Sequence, residues 1–217
     1  MMAGEDFIRR RTTEVALDDD TRVRVRPIVP GDKAHLVDGF RRLSPQSRYR
    51  RFMAPLDELA PEMLRHLTEI DYHDHFAYIA LALTEEGEVA AGVARYVRLP
   101  DEPEIAEAAV TVVDELQGRG LGTLLLQALG AVALQNGIRR FRAYALDSNR
   151  PLRELAEAMG AETGYDSPGM IRVEVDLPQQ ARNLRRTPLY RIFRALARGE
   201  PVWSIRFREI WQRLRAG

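Results

Sequence analysis

Gln117, Gly120 and Gly122 stand at the spacing Q-x-x-G-x-G. That spacing suits one kind of chemistry, the holding of a phosphate or pyrophosphate on backbone amides. Glycines let a ligand approach the main chain with no Cβ in the way. The first N–H groups of the helix that follows have no internal partners and lie at the positive end of its dipole. Two other glycine loops are excluded. A Walker loop needs GxxxxGK[ST], and the chain holds no Gly-Lys pair. A dinucleotide fingerprint, counted from Gly118, would need glycine where Thr123 stands. A tight turn that binds nothing is the competing reading. Arg119, inside the loop, either adds a charge-assisted contact to phosphate or is a solvated loop arginine.

The elements around the loop must position it. Val110 to Val113 is β-branched and reads as a strand. Thr123 to Gln135 is long, apolar and rich in Leu and Ala, and reads as a helix stopped by Asn136-Gly137. Phe141 to Leu146 reads as the next strand. Upstream, Thr21 to Ile28 alternates Val with Arg as a half-buried strand. Asp32 is a candidate N-cap, and Ser44-Pro45 opens a further helix with Ser as cap. A third short helix begins at Pro61. Phe76 to Leu83 and Val89 to Val97 form a hairpin around Glu85-Glu86-Gly87-Glu88. Leu99 to Glu104 reads as a loop, Pro151 to Met159 as a helix and Ile171 to Leu177 as the last strand. His73 and His75 would share a strand face. With no further His or Cys nearby they imply a polar rim rather than a metal site.

Composition bounds the answer. The chain has 217 residues, enough for one full core plus an extension, and 45% hydrophobic against 29% charged residues. It has no cysteine, which excludes disulfides, a thiolate nucleophile and cysteine-based metal sites. The N-terminus lacks an apolar secretory core and no apolar run is long enough to span a bilayer, so a cytoplasmic protein is expected.

The motif in its context resembles the pyrophosphate loop of the GNAT superfamily of N-acetyltransferases. The resemblance covers Thr21 to Pro178. It implies an α/β (α+β) fold with a mixed, mostly antiparallel central sheet flanked by helices, and acetyl-CoA as co-substrate without a metal. Gln117, Gly118, Arg119, Gly120, Leu121, Gly122 and Thr123 would then hold the pyrophosphate. Val112 matches the residue whose main chain pairs with pantetheine, and Val113 flanks it. Asn149 matches an Asn used on the pantetheine, although capping the next helix would explain it equally. The string Ala106-Glu107-Ala108-Ala109-Val110 resembles that around the general-base Glu of family members that acetylate protein lysines, which makes Glu107 the catalytic candidate. Glu104 and Asp114 compete. The Tyr that many members use to protonate the departing thiolate is replaced by Ala156, leaving another group such as Tyr165 or unaided departure.

Leu43 to Phe52 (LSPQSRYRRF), with Asp71-Tyr72, resembles bacterial Pat-type protein lysine acetyltransferases. The implied reaction is acetylation of a primary amine, a protein lysine. A small-molecule amine, or a silent module that only binds CoA, are the alternatives.

Three segments are expected: a flexible start over 1–20, a GNAT domain over 21–178 and an extension over 179–217. From Ala181 onward ten arginines face only Glu200 and Glu209. Leu189, Ile192, Phe193 and Leu196 share one helical face, and Trp203, Phe207, Ile210 and Trp211 a second, across Gly199-Glu200-Pro201. The extension therefore reads as a basic amphipathic helical hairpin. It would pack on the domain or on a second copy as a homodimer, or lie on an anionic membrane surface. Nucleic acid is the reading with no supporting motif.

Overall fold

The computed structural model describes residues 4–17, 19–158, 160–177 and 205–206. Helix α1 (Glu5–Arg10) leads into strands β1 (Thr13–Ala16) and β2 (Arg22–Pro27). Three helices follow, α2 (Lys33–Arg41), α3 (Pro45–Phe52) and α4 (Pro61–Thr68). Strands β3 (His75–Thr84), β4 (Gly87–Leu99) and β5 (Glu102–Val112) form a meander. Then come α5 (Leu121–Gln135), β6 (Arg140–Leu146), α6 (Arg150–Ala158), β7 (Glu162–Ser167) and β8 (Met170–Asp176). A two-residue strand β9 (Ile205–Arg206) completes one sheet of order β7-β8-β6-β5-β4-β3-β2-β1-β9.

Period-two alternation divides the sheet into two faces. Phe76, Tyr78 and Ala80 of β3 point to the α5 side, where Leu124, Leu125 and Leu129 are fully buried against them. Ala77, Ile79 and Leu81 point the other way, onto Leu36 and Phe40 of α2. Burying such a side chain contributes about 1.5–3 kcal/mol. α5 therefore needs no charged outer stripe to dock, and its central position follows from its apolar sequence.

Pairing is antiparallel except for β5 with β6 and β1 with β9. The mixed, mostly antiparallel sheet flanked by helices is the architecture expected. Ser44 caps α3 as expected, its side chain accepting from the Ser47 amide at 3.2 Å. Asp32 does not cap α2. Its carboxylate instead accepts from both Nη atoms of Arg26, at 2.6 and 2.7 Å, and from the Val29 amide at 2.8 Å.

Other expectations are corrected. The start of the chain, expected to be flexible over 1–20, contributes α1 and β1. β1 pairs with β2 in the register Val15↔Val23, and Val15 and Leu17 lie in the α5-side core. The loop expected over Leu99 to Glu104 is a tight turn, because β4 runs to Leu99 and β5 starts at Glu102. β7 was not anticipated: ETGYDS is exposed throughout and is held by its ladder to β8, so it has no apolar alternation to show. Where the second helix of the basic hairpin is expected, Ile205–Arg206 is extended and pairs with β1. The rest of that hairpin, and its docking, lie outside the described residues. No helix among the described residues is long and apolar enough to cross a membrane.

Candidate active site

The sheet opens at one place. β5 and β6 pair only over Ile105–Glu107 with Arg140–Arg142. Beyond Glu107, β5 stays with β4 as far as Val112, whereas β6 stays with β8 as far as Leu146. Each strand follows its antiparallel partner, and the two diverge. The wedge between them is a cleft of about 730 Å³, within the range of small-molecule sites. Strand edges facing such a wedge present unpaired amides and carbonyls, ready to pair with an extended ligand.

The glycine-rich turn lies at the wide end of this wedge. Gly118 and Gly120 have φ of 73° and 81°, left-handed values that L side chains rarely adopt. That is why these positions are glycine. Gly120 is the N-cap of α5, which starts two residues earlier than its composition suggests, at Leu121. The first amide to find its partner within the helix is that of Leu124, donating to the Gly120 carbonyl at 3.0 Å. Helix geometry leaves the amides before it without intrahelical acceptors. Those free amides, the helix dipole and the absence of a Cβ at Gly118 and Gly120 fit a diphosphate.

Most of the expected site residues come together here. Glu107, Val112, Gln117, Gly118, Gly120, Gly122, Thr123 and Asn149 all line the cleft. Three others do not. Val113 is buried and lines a smaller neighbouring pocket instead. Leu121 is 1% exposed and offers only its main chain. The Arg119 guanidinium is paired with the Asp19 carboxylate. The Gln117 side chain turns back, donating through Nε2 to the Val112 carbonyl and to Asp114 Oδ1, both at 3.0 Å. It thereby ties the loop to the end of β5. Asn149 has the capping geometry, its Oδ1 3.4 Å from the Leu152 amide.

Among the described carboxylates, Glu107 alone both lines the cleft and sits at the point where the strands part. It faces Val97 of β4 and Arg142 of β6, on the side of the sheet opposite its buried neighbours Ala106 and Ala108. Asp114 is occupied by the Ser44 amide at 3.1 Å. Burial would raise its carboxyl, but hydrogen bonds from Ser44 and Ser47 hold it below the ordinary value. Glu104 does not line the cleft. On the Glu107 side the cleft is closed by α3, through Ser47, Arg50, Arg51 and Phe52. Burial lowers the Arg51 guanidinium, and the charge of Glu107 opposes that.

The missing thiolate acid is partly answered. Ala156 is 3% exposed among Ala145, Ile171 and Val173 and carries no proton to give. Tyr165 is 86% exposed on β7 and lies outside the cleft. The phenol that does line it is Tyr144 of β6. Arg51 and Tyr144 escaped the sequence reading. One sits in an arginine-rich helix and the other in a strand read only for its hydrophobicity, so only their placement reveals them.

The DYHDH segment is a turn knitted by Asp71, whose Oδ1 accepts from the amides of His73, Asp74 and His75 at 2.7–2.9 Å. His75 is pushed down to about 4 by burial and by Arg95, so near neutrality it is uncharged and its Nε2 accepts from Arg95 Nη1 at 2.9 Å. Among the described residues no group of three or more His, Cys, Asp or Glu could hold a metal.

A splayed mixed sheet with a glycine-rich helix start at its opening defines the GNAT fold. The acetyltransferase (GNAT) family profile matches residues 42–161, and the chain belongs to that family. It is 36% identical over 156 residues to the acetyltransferase Pat of Mycolicibacterium smegmatis, a match covering 71% of this chain and 45% of that protein. The chain thus spans less than half of that relative's length. It is 38% identical over 148 residues to acetyltransferase PA5475 of Pseudomonas aeruginosa, covering 67% of this chain and 77% of the relative. The GNAT domain of S. lividans PAT superposes with a TM-score of 0.71 at 32% identity, covering 77% of this chain and 97% of that domain.

Proposed function

We propose that this protein transfers an acetyl group from acetyl-CoA to a primary amine, a protein lysine, with Glu107 as general base. The observation that carries the proposal is the wedge between β5 and β6, with Glu107 at its apex and the Gly118–Gly122 amides at its mouth. In this reading the diphosphate rests on those amides, and the pantetheine arm pairs with the free edge of β5 near Val112. The thioester then lies where the strands part. The lysine acceptor is supported by the similarity to proteins named Pat and by the acidic group at the acceptor side of the apex.

The step needs few groups. The amine gives a proton to the Glu107 carboxylate, directly or through one water. Its nitrogen lone pair attacks the thioester carbon, and the oxyanion is met by main-chain N–H. As the intermediate collapses the C–N bond is kept, the nitrogen releases its remaining extra proton, the C–S bond breaks and CoA leaves as thiolate. Tyr144, the phenol that lines the cleft, would protonate that thiolate. A thiol of roughly pKa 8.5 also departs tolerably without help.

Glu107→Gln tests the assignment. It keeps the shape and the hydrogen-bonding of the position but cannot accept the proton. The expected result is a fall in kcat/KM of about 10²–10⁴, with the calorimetric affinity for acetyl-CoA preserved. If Glu107→Gln turns over lysine peptides at the wild-type rate at neutral and lower pH, Glu107 is not the base. If the pure protein takes up neither CoA nor acetyl-CoA, the whole reaction is withdrawn.

A further inference from the structure

Beside the cleft, on the α2–α4 face of the sheet, is a second and smaller cavity of about 70 Å³. Its walls are mostly apolar, including Leu36, Phe40 and Val93, and no Asp or Glu among the described residues lines it. Yet four polar side chains do; His35 is already engaged with the Asp32 carboxylate at 3.2 Å, which leaves three. Arg95 is 6% exposed, and among the described residues its guanidinium reaches only neutral partners, His75 Nε2 at 2.9 Å and the Leu67 carbonyl at 3.1 Å. Burial lowers it to about 9, and the charge of Arg51 adds to the effect. Arg51 lines both this cavity and the catalytic cleft, and makes no ion pair within 4.0 Å among the described residues. Thr111, also shared between the two cavities, has a buried Oγ1 with no hydrogen-bond partner among the described residues.

Burying a guanidinium without a carboxylate costs several kcal/mol, and a buried hydroxyl left unpaired costs more again (about 1–3 kcal/mol). Two cations and an orphan hydroxyl around one apolar pocket are therefore an unfinished arrangement. We propose that the pocket is an anion subsite of the acceptor half of the active site, and that it takes a carboxylate carried by the amine substrate. Arg51 grips the carboxylate at the mouth, the Thr111 hydroxyl donates to it and Arg95 supplies charge from behind. The planar guanidinium fork matches a carboxylate, and the volume suits a compact group of a few heavy atoms. The inference rests on the acetyl-transfer reading above and names the acceptor class more closely.

Distance fixes which acceptors qualify. A strand rises about 3.3 Å per residue, so Ala109 and Thr111, on the same face as Glu107, stand roughly 7 and 13 Å from it. A carboxylate within this span has two sources, of which free lysine reaches only the nearer end. It can be an acidic side chain beside a peptide lysine, or the α-carboxylate of free lysine acetylated at its side-chain amine.

Two matched pairs of acceptors separate these: a lysine peptide with Glu against the same peptide with Gln, and free lysine against lysinamide. Wild-type protein should favour the acidic member of at least one pair by about tenfold or more in kcat/KM, the range for a hydrogen bond to a charged group. The pair that shows the preference names the source. Because the readout is a ratio, general damage by a substitution cancels. Arg51→Gln should bring the ratio close to one, and Thr111→Val, which keeps shape and loses the hydroxyl, should lower it severalfold. A second readout needs no turnover. Millimolar glutarate should raise the unfolding midpoint of wild type and not of Arg51→Gln, whereas glutaramide at matched ionic strength should leave both unchanged. Glutarate protection without transfer to any amine would keep the subsite and remove the acetyl-transfer reading. Equal rates within both pairs, with no glutarate protection, overturn the subsite, as does a preference that survives both substitutions.

Discussion

Two neighbouring glycines of the loop should answer differently to the same added methyl group. Gly120 has φ 81° and ψ −6°. An alanine there either stays left-handed, at about 1–2 kcal/mol, or rotates and turns the amides at the start of α5 away from the cleft. Gly122 is not left-handed. A Cβ on it would lie 3.7 Å from Val112 Cγ2 and 3.9 Å from Val110 Cγ2, ordinary contact against the side chains of β5. Gly122→Ala should therefore fold at least as well as wild type, gaining up to about 1 kcal/mol from the stiffer unfolded chain, and should keep acetyl-CoA affinity within a few-fold. Gly120→Ala should lose about 1–2 kcal/mol of stability. It should also lose at least tenfold in affinity, since each amide hydrogen bond to a charged phosphate contributes about 1.5–3 kcal/mol. Urea unfolding and isothermal titration with acetyl-CoA give both numbers on the same samples. Wild-type affinity in Gly120→Ala would refute the anion-site argument. Equal losses in the two variants would refute the claim that only the left-handed position shapes the loop.

Two further expectations concern the scaffold. Gly92 of β4 faces Val112, and a Cβ on it would come within 2.8 Å of the Thr111 carbonyl oxygen, a backbone atom. Gly92→Ala should cost about 1–3 kcal/mol by overpacking and displace the end of β5, so turnover should fall along with the urea midpoint; an unchanged kcat would show that this stretch is not the pantetheine edge. Asp32 is 1% exposed; burial would raise its carboxyl, but Arg26 and the Val29 amide hold it below the ordinary value. Its stabilisation is complete above the unfolded value of about 3.9 and fades as pH falls through the lower folded value. Asp32→Asn should thus cost about 3 kcal/mol at pH 7, with the gap to wild type closing below about pH 4 in urea titrations; a gap independent of pH would place the effect in packing instead.

Much of the site was legible because its demands are local. Gly118 and Gly120 are dictated by their own φ angles, α5 by a run of Leu and Ala, and the β3–β4 hairpin by two apolar runs on either side of the Glu85–Glu88 turn. The same locality explains the failures. β1 is four residues long, and β7 has no apolar face, so each exists because a neighbouring strand offers it a ladder. Asp32 has the residue type of a cap, but the Arg26 fork competes for the same oxygens and wins.

What the chain's own string of residues determined is the anion-binding turn and the strand and helix that flank it, since backbone conformation there depends on the few residues present. The opening between β5 and β6 is decided by tertiary structure alone, because it arises from each strand obeying its other neighbour. So is the meeting of Arg51, Arg95, Thr111 and Glu107. These residues come from α3, β4 and β5, far apart in sequence, and no periodicity encodes a contact that only the folded sheet and the helices across it can make.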